Sequence, residues 1–548
     1  MKIALAQLNF IVGHFEHNTA LMIYALDRAR AQGADLVVFT ELSVCGYPPR
    51  DLLEMEHFID QCEAAIRKIA GHCKGIAAIV GAPSRNPRAF GKRLLNSAFL
   101  LVEGEICGTY HKGLLPTYDV FDEYRYFEPA SSFKSIVFKG KKIALTICED
   151  LWNLDVHALY SMNPMDVLIR EEPDLIINIS ASPFAWSHLA DRHYTFSENA
   201  RKYRIPLFVA NQMGGHDELL FDGQSGVYNP MGGLVDQIDS FTEDVRVFDL
   251  DEVIQSREQP GEIKLSETEK NEVIFKALVF GIREYFGKLG LKKAILGLSG
   301  GLDSALTLVL AAEALGPGNC KAVLLPGPYS TDHSISDAVQ LAQNLEVPHE
   351  IISINETVDA LNHALEPHFR GTKPGVAEEN LQARARAVIL MGLANKFGYV
   401  LLNTSNKSEA AVGYGTLYGD MCGGLAVIGD IYKTEAYSLS RHINRHLEII
   451  PANIINKPPS AELKPGQRDT DSLPPYEILD DILFRYIERK MSAEKIIAAG
   501  HPAELVRSVL QMVNANEYKR HQTPPILRVS KKAFGSGRKM PLVARFPG

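Results

Sequence analysis

The string Leu296-Gly-Leu-Ser-Gly-Gly-Leu-Asp-Ser304 limits what this chain can be more than any other stretch. An apolar run of strand type, 294–298, passes through Gly300 and Gly301 into an apolar helical pattern over 305–315. A strand that opens through glycines into a helix aims several backbone N–H groups at one point, where the helix dipole also favours an anion. Gly297, Leu298, Ser299, Gly300, Gly301, Leu302, Asp303 and Ser304 therefore read as a pyrophosphate cradle. The two serines add hydroxyl donors, and Asp303 can hold magnesium against phosphate oxygens. The Gly-Lys-Ser/Thr ending of kinase-type loops is absent. A plain Gly-Gly turn before a capped helix would explain the glycines, but not the full Ser-Gly-Gly-x-Asp-Ser string.

A chain of 548 residues is too long for one core, so two domains are expected. With 46% hydrophobic and 22% charged residues it has the composition of an ordinary globular protein. A net charge of -9 argues against nonspecific nucleic-acid or membrane binding, which needs a basic face. The seven cysteines, 45, 62, 73, 107, 148, 320 and 422, include no Cys-x-x-Cys pair, so neither a disulfide framework nor structural zinc is expected. The sequence opens on a strand-type run with no basic-then-apolar leader and contains no bilayer-length apolar run, which fits a reducing cytoplasm.

Short apolar runs alternate with helical stretches throughout, an α/β pattern. Strands are predicted at 3–8, 36–39, 77–80, 98–102, 143–147, 175–179 and 207–210, then at 294–298, 322–325, 351–354 and 399–402. Between the two sets, residues 249–268 are charged, carry Pro260-Gly261 and lose the rhythm. Domains over 1–250 and 269–548, joined by a linker at 251–268, follow. A second irregular stretch, 457–476, reads as a mobile loop over a site, with four weakly signalled helical segments after it.

The first half also presents three reactive residues at strand ends: Glu41, Lys112 and Cys148. Each alone has a bland reading as a surface acid, a solvated lysine or an inert buried thiol. Together they supply a base, a cation that favours the thiolate and later polarises an oxyanion, and a nucleophile.

On these residues, in the contexts Phe-Thr-Glu-Leu, His-Lys and Ile-Cys-Glu-Asp, the first half resembles a nitrilase-superfamily amidase with its Glu-Lys-Cys triad. The second half resembles the NAD synthetases. It matches them in the phosphate loop, in Glu379-Asn-Leu-Gln-Ala-Arg-Ala-Arg386, Asn403-Thr-Ser-Asn-Lys-Ser-Glu409 and Tyr418-Gly-Asp420. Pro459-Ser-Ala-Glu-Leu463, Ser472-Leu-Pro-Pro-Tyr476 and Val529-Ser-Lys-Lys-Ala-Phe-Gly535 extend the match, so the whole chain is similar to the glutamine-dependent NAD synthetases. The resemblance implies an N-terminal α-β-β-α sandwich and a C-terminal doubly wound, Rossmann-like ATP pyrophosphatase domain.

It also implies roles. Glu41 would be the base, Cys148 the nucleophile and Lys112 the oxyanion cation, with Glu123 either a supporting acid or a plain loop carboxylate. Tyr118, Ser182 and His188 map to the glutamine-holding positions, and His188 stands where the family commonly carries lysine. ATP would lie on residues 297–304 with Thr404 nearby, magnesium on Asp303 and Glu409, and deamido-NAD near Asn380, Glu409 and Lys531. Which of Asp469 and Asp471 touches substrate stays open. The expected reaction converts deamido-NAD to NAD through an acyl adenylate, with ammonia from L-glutamine, and the expected assembly is a homo-oligomer. Ammonia released to neutral water would be mostly ammonium, which favours an internal handover. Two other readings compete: a different ATP-pyrophosphatase amidation, opposed by the strings at 403–409 and 529–535, and a non-catalytic first half, opposed by the complete triad.

Overall fold

The computed structural model describes residues 1–154, 159–460 and 462–544. They form two compact units, Met1–Lys264 and Leu265–Gly548.

The strands of the first unit are β1 (Lys2–Gln7), β2 (Leu36–Val38), β3 (Ala77–Arg85), β4 (Leu94–Val102), β5 (Glu105–His111), β6 (Ile136–Phe138) and β7 (Lys141–Ile147), then β8 (Leu175–Ser180), β9 (Leu207–Asn211), β10 (Met213–His216), β11 (Leu219–Asp222), β12 (Gly226–Tyr228), β13 (Leu234–Gln237) and β14 (Asp244–Asp249). One six-stranded sheet runs β14-β1-β2-β3-β4-β5 and a second runs β13-β12-β9-β8-β7-β6, with β10 and β11 paired separately. Successive residues of a strand point to opposite faces. Ile3 and Leu5 accordingly enter a core shared with Leu145, Ile177 and Phe208 of the second sheet. Ala4 and Ala6 face the other way, toward Met22, Leu26, Ile66 and Ile69 of the helices Phe15–Ala31 and Glu56–His72. With both faces covered, the strands read as unbroken apolar runs. The helix His188–Tyr203 packs on β9 and β12, completing the α-β-β-α sandwich. Strands β7 and β8 are parallel, with Ile147 beside Ile179, so the residues after both emerge at one end.

The second unit holds β15 (Ala294–Gly297), β16 (Cys320–Leu324), β17 (His349–Ile351), β18 (Val400–Asn403) and β19 (Leu425–Ala426), parallel and ordered β17-β16-β15-β18-β19. The order reverses beside β15, which leaves a crevice at the carboxyl ends of β15 and β18, the usual ligand position in a doubly wound sheet. Ile295, Val323 and Leu401 pack under Ala385, Leu390 and Ala394 of the helix Val376–Phe397. Among the described residues four helices follow the irregular stretch: Tyr476–Ile487, Ala493–Ala498, Ala503–Ala515 and Glu517–Arg520. Val506, Val509, Leu510 and Val513 recur at helical spacing and bury against Leu479, Ile482 and Leu483.

Two expectations shift. The strand read at 351–354 lies earlier, at His349–Ile351, because Ile354 is a buried plug ahead of the helix Asn355–Phe369. The stretch read as a linker is partly structured: Asp249 caps the helix Leu250–Gln255, which buries Leu250 and Val253. Asn229 Nδ2 then holds the carbonyls of Ser256 and Glu258, and His193 Nε2 meets Gly261 O at 2.9 Å. Among the described residues no helix is long and apolar enough to cross a membrane.

Candidate active sites

In the first unit the structure gathers Glu41, Lys112, Glu123 and Cys148 below the surface, with Glu41 and Lys112 0% exposed. The Lys112 ammonium donates to Glu41 Oε1 at 2.6 Å and to both Glu123 oxygens at 2.9 and 2.8 Å. Asn96 Nδ2 donates to Glu41 Oε1 at 2.8 Å, the Ala181 N–H reaches Glu41 Oε2 at 3.2 Å, and Tyr47 OH donates to Glu123 Oε1 at 3.0 Å. Glu123 is thus a buried partner of the lysine rather than a solvated loop carboxylate. Burial raises it to about 7, Lys112 pulling down and Glu41 pushing up. Burial also opposes the charge on Lys112, but Glu123 and Glu41 outweigh it and hold the ammonium well above its ordinary range.

Cys148 follows β7 and opens the short turn Cys148–Leu151 with φ 44, in the left-handed region that side chains rarely occupy. Burial, with Glu41 and Glu123 near, pushes its thiol well above the ordinary value, and Lys112 offsets only part of this. Two carboxylates share the lysine's charge, an arrangement that gives a base beside the thiol a part to play.

Tyr118 OH donates to Glu149 at 2.9 and 3.0 Å, and Tyr160 OH to the same carboxylate at 3.1 Å. Ser182 follows Ala181 and is fixed by its own N–H to Asn211 Oδ1 at 2.9 Å, while His188 begins the helix His188–Tyr203. Glu149, Tyr160, Asn96 and Tyr47 escaped sequence reasoning. Only Glu149 had a local signal, as the residue after the cysteine.

In the second unit Gly300 makes the turn after β15 at φ +78, and a Cβ there would lie 2.2 Å from Ser334 O. Ser304 Oγ closes the loop by donating to Gly301 O at 3.0 Å and accepting from the Ser299 N–H at 3.2 Å. Gly301 precedes the helix Leu302–Leu315, whose first N–H groups point along the loop. Beyond it lies a cavity of about 630 Å³, lined by the loop, Thr404, Glu409, Arg386, Lys433 and residues 457–460, 462–464 and 466–469. Glu462 fastens that stretch, accepting from Thr331 Oγ1 at 2.9 Å and Ser334 Oγ at 2.7 Å.

Asp303 pairs with Lys433 and takes Asn406 Nδ2 at 3.2 Å, and Lys433 lies 3.7 Å from Glu409. Burial, Asp303 and the nearby Asp469 and Asp420 push Glu409 well above the carboxylate range against the pull of Lys433. Lys433 was not anticipated, since its partner lies 130 residues away. Asn380 and Lys531 do not line the cavity; Asn380 Oδ1 accepts from Thr416 Oγ1 at 2.6 Å, and Lys531 is exposed. Of the two candidate aspartates, Asp469 lines the cavity and takes Tyr476 OH at 2.9 Å.

Gly300→Ala should abolish ATP binding measured by calorimetry while glutamine hydrolysis persists, since the left-handed φ alone costs about 1–3 kcal/mol before the overlap with Ser334. Retained ATP binding would show that the loop does not carry the phosphates.

Comparison with known proteins matches both units. The carbon-nitrogen hydrolase family matches residues 2–259 and the NAD synthase family residues 274–523. Glutamine-dependent NAD(+) synthetase of Synechocystis sp. is 45% identical over 555 residues, covering 99% of each chain. That of Thermotoga maritima is 40% identical, covering 100% of this chain and 99% of the relative. The solved Acinetobacter baumannii glutamine-dependent NAD+ synthetase, in complex with adenosine diphosphate, superposes with a TM-score of 0.77 at 37% identity over 99% of this chain and 98% of that one. A buried Glu-Lys-Cys constellation in a carbon-nitrogen hydrolase unit, joined to a glycine-loop NAD synthase unit over the full length of such relatives, places this chain in the glutamine-dependent NAD(+) synthetase family.

Proposed function

We propose that the chain amidates deamido-NAD to NAD, using ATP and ammonia drawn from L-glutamine. The observation that carries this is a complete amidase constellation and a complete phosphate loop on one chain. Glu41 takes the Cys148 proton as sulfur attacks the glutamine side-chain amide. Lys112 faces the developing oxyanion, a charge it stabilises better than the neutral amide. Glu41 returns the proton to the departing ammonia and then activates water against the glutamyl thioester. Glu123 keeps Lys112 charged and aimed. Glu149, set beside the nucleophile by Tyr118 and Tyr160, is a buried carboxylate suited to the α-ammonium of glutamine, with Ser182 and His188 toward the other end. This assignment of the glutamine site supports Tyr118 as an orienting group acting through Glu149.

In the second unit the nicotinate carboxylate attacks the α-phosphate of ATP on residues 297–304, pyrophosphate leaves, and ammonia displaces AMP. Burial opposes charge on Lys433, yet Asp303 and Glu409 hold it protonated, a fixed cation at the mouth of the phosphate loop. Asp303 and Glu409 are two hard oxygen donors crowded enough to suit a divalent cation, and magnesium there would offset phosphate charge. Among the described residues no group of three such ligands occurs, so phosphate and water oxygens would complete the shell. Thr404 borders the nucleotide, and Asn380 and Lys531 stay assigned to the dinucleotide by motif alone.

Incubation of the full chain with deamido-NAD, ATP, magnesium and amide-15N glutamine should yield labelled NAD with one AMP and one pyrophosphate per turnover. ADP and phosphate would overturn the adenylate. In excess unlabelled ammonium the NAD should stay labelled well above the bulk ratio if ammonia is handed over directly; full equilibration would refute that handover. Light scattering of the same sample tests the homo-oligomer.

A further inference from the structure

Lys112 and Cys148 come from different sheets. Lys112 follows β5, at the edge of one, and Cys148 follows β7, inside the other. The ladder of neither sheet sets the separation between them. One buried side chain reaches both. Asp150 is 0% exposed, and its Oδ1 accepts the N–H groups of Gly113 and Leu114, each at 2.9 Å. Its Oδ2 accepts the Ile147 N–H at 3.0 Å and Tyr110 OH at 3.3 Å. The carboxylate is thereby tied to the residue before Cys148 and to residues on both sides of Lys112.

We infer that Asp150 is a positioning residue of the amidase reaction, a clamp that sets the nucleophile's turn against the lysine strand. This rests on the proposed roles of Cys148 and Lys112. All four partners are donors, two at each oxygen, and an ionised carboxylate meets them without an O–H of its own to place. Burial raises Asp150 to about 6 against the pull of its backbone donors, so it is charged at neutral pH. Asparagine in its place would set an NH2 group against N–H and O–H donors at one end, and the clamp would open there. The shape would be kept and the function lost.

In the full chain, Asp150→Asn should lower kcat for glutamine hydrolysis by about 10²-fold, the cost of misplacing reacting groups by about 1 Å. The glutamine KM should stay within about threefold, which separates lost chemistry from lost binding. Alkylation of Cys148 by iodoacetamide should slow in parallel, ammonium-supported NAD synthesis should stay at the wild-type rate, and a wild-type circular dichroism spectrum and melting curve should report a folded first unit. Tyr110→Phe removes one donor and should give a smaller loss of kcat, again without KM. A normal kcat in folded Asp150→Asn, or a loss carried by KM alone, overturns the clamp. If that variant does not fold, a normal kcat in Tyr110→Phe overturns it instead. Should Cys148→Ala still hydrolyse glutamine, the nucleophile assignment falls and the clamp with it. Should Cys148→Ala be inactive while Asp150→Asn is normal, only the clamp falls.

Discussion

Cys148→Ala should abolish NAD formation from glutamine while synthesis from high ammonium continues at the wild-type rate. The expected loss is on the order of 10⁶-fold, the scale on which removing a hydrolase nucleophile acts. The turn that carries the cysteine holds φ 44, and alanine brings the same Cβ, so the backbone pays no new cost there. What disappears is the sulfur. In the native site that sulfur holds its proton firmly, because burial and Glu41 outweigh Lys112. Glu41→Gln should therefore fail for a related reason: it keeps shape but loses both the base and one of the two charges that pin Lys112. Ammonium bypasses the first unit, since the phosphate loop and the cavity beside it lie in the second. Measuring both nitrogen sources in one variant separates a lesion in the amidase unit from one in the synthetase unit, and an unchanged melting curve separates a lost nucleophile from a lost fold. Glutamine-supported turnover in Cys148→Ala would remove the nucleophile assignment.

Much of this arrangement was legible before any coordinates, for physical reasons. Strands such as β1, β7 and β8 are covered on both faces, so they appear as continuous apolar runs. The edge strand β5 is mostly exposed, polar and unreadable by that rule, although it delivers Lys112. The phosphate loop is local: strand, glycines and helix lie within a dozen residues and carry their own signature. The supporting polar groups are not local. Asn96 reaches Glu41 across 55 positions, and Lys433 reaches Asp303 across 130. Nothing in the neighbours of either residue announces the pairing. The same blindness covers the charges around the thiol. Sequence placed one cation near Cys148, but only the fold shows Glu41 and Glu123 both claiming that cation. The 457–476 stretch was placed over a site by composition. Its anchor, Glu462 on Thr331 and Ser334, depends on a turn 128 to 131 residues earlier.

Asp303→Asn should depress NAD synthesis with either nitrogen source by about 10² to 10³-fold, the range expected when one preorganised charge is removed from a developing transition state. The substitution is nearly isosteric, and the helix Leu302–Leu315 keeps its start, so the loop should fold as before. The change is electrostatic. Asp303 is the close partner of Lys433, whose other carboxylate, Glu409, is 3.7 Å away. Without the aspartate charge, Lys433 is free to swing toward Glu409 or toward the phosphates, and one of two anionic oxygens proposed for magnesium is gone. The magnesium concentration for half-maximal rate should rise accordingly. Glutamine hydrolysis measured without deamido-NAD should persist, because the lesion lies outside the amidase unit. Ammonium rescues Cys148→Ala but cannot rescue Asp303→Asn, and that contrast assigns each residue to its own half-reaction. Normal turnover with an unchanged magnesium requirement would remove Asp303 from the metal site and leave Lys433 as its only function.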